Sequence, residues 1–244
     1  MRRPDIITFD CYGTLIDWNK GILGALGAEG ERQGRVLDAV SMLAAYHAAE
    51  PLIQSAEYRP YREVLTLLEV KIAAGLGWDP PSSPGYLADS LPAWRPFPET
   101  NRALRRLRGA GFELGILSNI DDDLLAATRE HFEVDFDLLV TAQQMRSYKP
   151  APAHFERALE SLGGDGGRML HVAQSYFHDI RPASRVGIAT VWINRLSEAV
   201  PPGGPVPTAE VPDLEAAVDW FERGLDAGPA LRRRERQRTS DSGH

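Results

Sequence analysis

The chain has 244 residues, 43% hydrophobic and 25% charged, a globular balance that suits one core domain with an insertion or two small domains. A net charge of −7 excludes a global field that recruits nucleic acid or anionic membrane, and no stretch reaches the roughly 18 apolar residues of a spanning helix. The single cysteine, Cys11, excludes an intrachain disulfide framework, and no apolar leader follows Met1-Arg2-Arg3-Pro4, so the expected setting is cytoplasmic.

In chain order, Asp5-Ile6-Ile7-Thr8-Phe9-Asp10 is a short β-branched apolar run that stops at an aspartate, followed by the Gly13 turn and the Thr14 hydroxyl. It predicts a buried parallel strand of four to six residues with Asp10 at its carboxyl end. From about Asn19 to Glu50 the apolar positions have helical spacing, with a break near Gly27 to Gly34. A third helix is expected from about Tyr61 to Gly75 and a short one around Pro84 to Leu91. The three prolines of Pro92-Ala93-Trp94-Arg95-Pro96-Phe97-Pro98 exclude regular helix there.

Beyond Glu99 helices and strands alternate. Helices are expected at 99–109, 121–132, 152–162, 179–186 and 213–224, and strands at 112–119, 138–141, 169–173 and 189–193. The three aspartates from Asp121 favour a helix N-terminus. The alternation predicts an α/β fold with a doubly wound parallel sheet. The expected domains are a core of residues 1–17 and 96–227, an all-helical cap of residues 18–95 and a disordered arginine-rich tail, 228–244.

In a parallel sheet the carboxyl ends of all strands share one edge, where open α/β folds place their ligands. Four of them here finish in polar or charged residues: Asp10 with Thr14, Ser118 with Asn119, Lys149 just past the third strand, and the segment up to Asp179. Each alone has a bland reading: turn capping for Asp10, Thr14 and Ser118, a surface lysine for Lys149, a helix N-cap for Asp179. The set, in this order and each after an expected strand, is more specific.

Asp10-Cys11-Tyr12-Gly13-Thr14 resembles the first motif of the haloacid dehalogenase superfamily, and the other three strand ends match its remaining motifs. Tyr12 makes the chain similar to the L-2-haloacid dehalogenase branch; phosphatases of the superfamily usually carry a second aspartate there. The resemblance implies that Asp10 attacks a halogen-bearing carbon, forming an aspartyl ester that water then hydrolyses to a 2-hydroxy acid of inverted configuration. Lys149 then lowers the Asp10 pKa and keeps it ionised. Thr14 and Ser118 donate to the nucleophile or its oxyanion. Asn119 faces the leaving halide or substrate carboxylate, Asp179 orients the attacking water or holds a metal, and Tyr12 and Trp18 line the pocket.

The expected substrate is a small (S)-2-haloacid, with no cofactor and no nucleic-acid or membrane partner. Dimers are frequent in the family, which makes a homodimer the expected assembly. The alternative is a Mg²⁺-dependent phosphatase or phosphonatase-like hydrolase. Tyr12 and the single carboxylate in Gln174-Ser175-Tyr176-Phe177-His178-Asp179 weigh against it, because Mg²⁺ needs several oxygen ligands. A third reading is a scaffold kept for binding alone, which the intact Asp10, Lys149 and Asp179 argue against.

The chain also departs from the dehalogenase pattern. No arginine lies between Arg35 and Arg59 where the family keeps a cap arginine, and Arg59 or Arg62 are the nearest substitutes. Phe155 replaces a family tyrosine, and Gln174 and Tyr176 stand at the family's serine and asparagine.

Overall fold

A computed structural model describes residues 3–36, 38–54 and 57–224; the tail expected at 228–244 lies outside them. Ile6–Phe9 form β1, fully buried as its apolar run requires. It is the third of six parallel strands in the order β3-β2-β1-β4-β5-β6, with β2 Glu113–Ser118, β3 Leu138–Thr141, β4 Met169–Ala173, β5 Ala189–Ile193 and β6 Ala209–Val211. The order reverses beside β1, between its neighbours β2 and β4, and such a switch point opens a crevice at the strands' carboxyl ends. Asp10 is the first residue past β1.

Side-chain alternation along β1 divides the core. Ile7 and Phe9 pack with Leu104, Leu107, Val218 and Phe221, from α5 (Thr100–Gly109) and from α10 (residues 214–224). Ile6 packs on the other face with Phe155 and Ala158 of α8 (Ala153–Ser161) and Ala183 of α9 (Arg181–Arg185). Helices on both faces make the sheet doubly wound. Arg106 of α5 reaches Glu215, Asp219 and Glu222 of α10 at 2.6, 2.7 and 2.8 Å.

Between β1 and α5 the chain makes an all-helical cap: α1 Trp18–Arg32, α2 Ala39–Gln54, α3 Tyr61–Leu76 and α4 Tyr86–Ser90. Its two crossings lie side by side. The amide of Asp17 donates to the Arg95 carbonyl at 2.9 Å, and that of Phe97 to the Leu15 carbonyl at 3.1 Å. Cap residues Leu26, Tyr46 and Leu65 continue the same buried cluster as Ile7 and Phe9. No helix among the described residues is long and apolar enough to cross a membrane.

Helix α1 packs closely on Trp94 at the cap exit. A Cβ on Gly21 would fall 2.3 Å from the Trp94 ring, which is itself buried. Replacing Gly21 with alanine is expected to overpack this contact and destabilise the protein by about 1–3 kcal/mol, read as a lower urea midpoint with an unchanged m-value.

The strands at 138–141, 169–173 and 189–193 match the sequence reading to the residue. Helix α7, Ala142–Met145, and strand β6 escaped it, being four and three residues long. The helix expected from 179 starts earlier, as a π-helical turn at Tyr176–Ile180 that runs into α9.

Candidate active site

Asp10 sits where β1 gives out and the chain turns through Gly13, whose φ of +94° is a conformation that glycine adopts without strain. That turn brings Thr14 back so that its hydroxyl donates to Asp10 Oδ2 at 3.1 Å. The Thr14 oxygen accepts in turn from the Gln174 amide at 3.0 Å, linking the ends of β1 and β4.

Lys149, 1% exposed, reaches under this loop, and each of its three ammonium hydrogens has a partner. Nζ donates to Asp10 Oδ1 at 2.9 Å, to Asp179 Oδ1 at 2.5 Å and to the Leu117 carbonyl at 2.8 Å. Burial opposes the lysine's charge, but the two carboxylates outweigh it and raise its pKa, so it is a fixed cation.

The two carboxylates respond differently. Burial pushes the Asp10 pKa up and the charge of Asp179 adds to it, and Lys149 offsets these effects without reversing them. The net direction is therefore opposite to the lowering expected from the lysine alone. Asp179 is also buried, but Lys149 and His171 prevail and hold it at about 2. Asp179 Oδ1 lies 3.1 Å from His171 Nε2, and His171 Nδ1 lies 2.9 Å from Thr8 Oγ1. Asp179 Oδ2 is buried without a hydrogen-bond partner.

Thr8 and His171 are register partners on β1 and β4, so a polar chain runs through the sheet from Thr8 to Lys149. The signal in sequence was a threonine and a histidine, each inside an otherwise apolar strand.

Ser118 and Asn119 differ in what they do. The Ser118 hydroxyl is buried with no hydrogen-bond partner and lines the cavity beside Asp10. The Asn119 amide is engaged on the Lys149 backbone: Oδ1 accepts from Lys149 N at 2.7 Å, and Nδ2 donates to Lys149 O at 3.0 Å. Asn119 thus fixes the lysine's main chain in the loop after β3. Tyr12 also borders the cavity, with its hydroxyl bonded to Thr128 at 2.7 Å and its ring edge-on to Trp94.

Above these groups is a cavity of about 220 Å³, room for a few heavy atoms. The core supplies Asp10, Tyr12, Ser118, Asn119, Lys149, Gln174, Ser175, His178 and Asp179; the cap supplies Trp18, His47, Glu50 and Tyr61. Trp18 stacks edge-on with Tyr46 and His47, each at 5.3 Å. The hydroxyls of Tyr46 and Tyr61 donate to Glu50 Oε1 at 3.0 and 3.1 Å.

His47 and Glu50 were not singled out from the sequence. Their signal was polar residues clustered at helical spacing beside Tyr46, which reads equally as a solvated face. Arg59 and Arg62 do not line the cavity. Arg62 bonds Asp123 at 2.8 Å, and Arg59 approaches Glu63 at 3.8 Å.

The cap is pinned to the site by Asp121. This residue was expected to favour the start of its own helix, α6 (Asp122–Arg129), but its side chain makes no cap hydrogen bond there. Instead its carboxylate accepts from the first two amides of α3, Tyr61 N at 2.8 Å and Arg62 N at 2.9 Å. Pro60 precedes that helix and has no side-chain cap to offer, so a core aspartate serves in its place.

A hard divalent cation does not fit this residue set. Lys149 stands between Asp10 and Asp179, and no cluster of three or more His, Cys, Asp or Glu able to hold a metal occurs among the described residues. Cys11 is fully buried, and burial pushes its thiol well above the ordinary range, in keeping with a packing role.

Comparison with known proteins sets this geometry in context. The chain is 27% identical over 226 residues to haloacetate dehalogenase H-2 of Moraxella sp. (strain B), covering 89% of this chain and 98% of that one. It is 33% identical over 138 residues to an (S)-2-haloacid dehalogenase of Pseudomonas sp. (strain YL), a match to 56% of this chain and 59% of the relative. The crystal structure of a defluorinating L-2-haloacid dehalogenase superposes with a TM-score of 0.75 at 24% identity, over 91% of this chain and 96% of that one, a likeness of fold. The profile of the haloacid dehalogenase-like hydrolases matches residues 4–187, well over half of the sequence and every strand end described above except those beyond β4, and the chain belongs to that family of hydrolases.

Proposed function

We propose that this hydrolase cleaves a carbon–halogen bond next to the carboxyl group of a small (S)-2-haloacid, with Asp10 as the nucleophile. The observation that carries the reading is the placement of Asp10. It lies at the floor of a 220 Å³ cavity, held by Lys149 on one oxygen and Thr14 on the other. The similarity along nearly the whole of a haloacetate dehalogenase, and to part of an (S)-2-haloacid dehalogenase, supports the substrate class.

In the first step an Asp10 oxygen forms a bond to the halogen-bearing carbon, and halide departs with the electron pair of the broken bond. In the second, water adds to the Asp10 ester carbonyl, and the alcohol oxygen leaves with the substrate carbon. The sum is halide, a proton and a 2-hydroxy acid inverted at carbon. Lys149, Thr14 and the unpartnered Ser118 hydroxyl are placed to stabilise the oxyanion of the second step. Asp179, held at about 2, stays ionised, and Oδ2 is its acceptor for the attacking water. Asn119 acts as a positioning residue through the Lys149 backbone, and Tyr12 and Trp18 shape the walls. A small-molecule substrate, a cytoplasmic setting and a homodimer belong to the same proposal, supported by the family resemblance.

The test is halide release from (S)-2-chloropropionate in the presence of EDTA. Release is expected to be undiminished by the chelator, giving (R)-lactate. Because Asp10 must be ionised and its pKa is raised, kcat/KM is expected to fall on the acid side above the ordinary carboxylate range. Absence of halide from this substrate, together with Mg²⁺-dependent hydrolysis of a phosphate ester, would overturn the reading.

A further inference from the structure

Beside the catalytic cavity lies a second one of about 500 Å³. Trp18, His47 and Gln174 line both cavities, so their side chains form the wall between them. Trp18 and His47 come from the cap, whereas Gln174 comes from the core, as the first residue past β4. The wall is tight over Gly13. A Cβ there would fall 3.3 Å from Gln174 Oε1 and 3.3 Å from the Trp18 ring, so the two side chains converge where the glycine has none.

The two halves of the wall are held differently. Trp18 is held through its ring, edge-on to the fully buried Tyr46. Gln174 is held through its main chain: the amide donates to Thr14 Oγ1 at 3.0 Å, and the carbonyl accepts from Trp192 Nε1 at 2.8 Å. Shortening the Gln174 side chain leaves both of those bonds in place. Beyond the wall the second cavity offers apolar surface on Phe97 and the exposed Leu196. Arg195 lies over the Phe97 ring at 3.7 Å, and its charge is met by Glu99 at 2.7 Å. Such a surface suits an alkyl chain.

We infer that Gln174 sets the length limit of the substrate's carbon chain: its side chain closes the catalytic cavity off from the second one and restricts the enzyme to short 2-haloacids. This rests on the dehalogenase reading above and deepens it. A longer chain meets the wall, and with the wall opened it runs on along Phe97 and Leu196.

The test compares (S)-2-bromopropionate with (S)-2-bromohexanoate, which is longer by three methylenes. Each methylene taken out of water changes affinity roughly fourfold, so the three together can exceed tenfold. Wild-type kcat/KM is expected to favour the propionate by about tenfold or more, and in Gln174→Ala the hexanoate-to-propionate ratio is expected to rise by about tenfold or more. Gln174→Met keeps the length of the side chain without its amide and should keep the wild-type preference, which a hydrogen-bonding role would not predict. Asn19→Trp fills the second cavity from α1. Combined with Gln174→Ala, it should return the ratio toward the wild-type value.

A wild type indifferent to chain length, a ratio unmoved in Gln174→Ala, a preference lost in Gln174→Met, or a gain that survives Asn19→Trp would overturn the inference. If Gln174→Ala does not fold, Gln174→Ser carries the same comparison. Calorimetry with the corresponding products, (R)-lactate and (R)-2-hydroxyhexanoate, separates the length limit from the reaction, and the same shift in preference is expected. Halide from neither substrate, with that shift present in binding, removes the dehalogenase reading and leaves the length limit. Halide from the propionate with no shift removes the length limit alone.

Discussion

Exchange of Asp10 for asparagine is expected to reduce halide release by a factor of about 10⁴ or more while leaving the fold intact. The loss follows from the role proposed for the carboxylate, because the isosteric amide is no nucleophile toward carbon. The fold should survive because burial already disfavours the charge of Asp10. A carboxyl whose folded pKa is raised penalises the folded state at every pH above that pKa, and asparagine removes the penalty. Lys149 keeps Asp179 and the Leu117 carbonyl as partners. The melting temperature is therefore expected to equal or exceed that of the wild type. Mass spectrometry of a single turnover in H₂¹⁸O supplies the companion result: the peptide containing residue 10 gains one ¹⁸O in wild type, from the water that attacks the Asp10 ester carbonyl, and none in the variant. A variant that retained activity would assign the nucleophile elsewhere.

Lys149→Met is expected to have the opposite profile, with activity and stability both lost. It leaves two buried carboxylates 1% and 11% exposed in their side chains, facing one another without a cation. Breaking a buried ion pair in this way costs about 3–5 kcal/mol. At this chain length that corresponds to a fall in melting temperature of roughly 6–20 °C.

The contribution of Asp179 to the pH dependence should change sign as well. In the wild type Asp179 is held at about 2, so its contribution to stability is complete above the ordinary carboxylate range and is lost as pH falls toward 2. In the variant both carboxyls titrate above their unfolded values, so the folded state binds protons more readily and acidification stabilises it. Urea unfolding at pH 5 and pH 8 reads this directly. The variant should be more stable at pH 5, and a variant as stable as wild type at pH 8 would show that the ammonium is not what holds the two carboxylates.

How much of this was legible depended on whether a signal was local. β1 and Asp10 were legible because a buried parallel strand is a continuous apolar run, and a carboxylate ending such a run stands out. The order Asp10, Ser118, Lys149, Asp179 was legible because parallel strands must deliver their carboxyl ends to one edge. Asp121 was misread because a carboxylate at a helix start has an obvious local use, whereas its partners are the amides of Tyr61 and Arg62, 60 and 59 residues earlier in the chain. Glu50 and His47 sit on a helix whose polar residues read as solvated until α2 is placed over the sheet edge. Thr8 and His171 gain meaning only from the β1–β4 register. The net direction of the Asp10 pKa was beyond reach for the same reason: proximity to Lys149 can be guessed from motif order, but the depth of burial that outweighs it belongs to the folded chain.

The capping of α3 by Asp121 bears on modularity. A helical insertion spliced between two adjacent crossings looks exchangeable, as though any bundle with closely spaced ends would graft onto this core. The core here keeps part of the cap's own helix-start chemistry, two residues past Asn119. A transplanted cap would therefore succeed when it presents free backbone amides over position 121, and otherwise would leave a carboxylate 4% exposed with no donor. Recombination between relatives at the two crossings should be tolerated in proportion to whether that single position travels with the helices it serves.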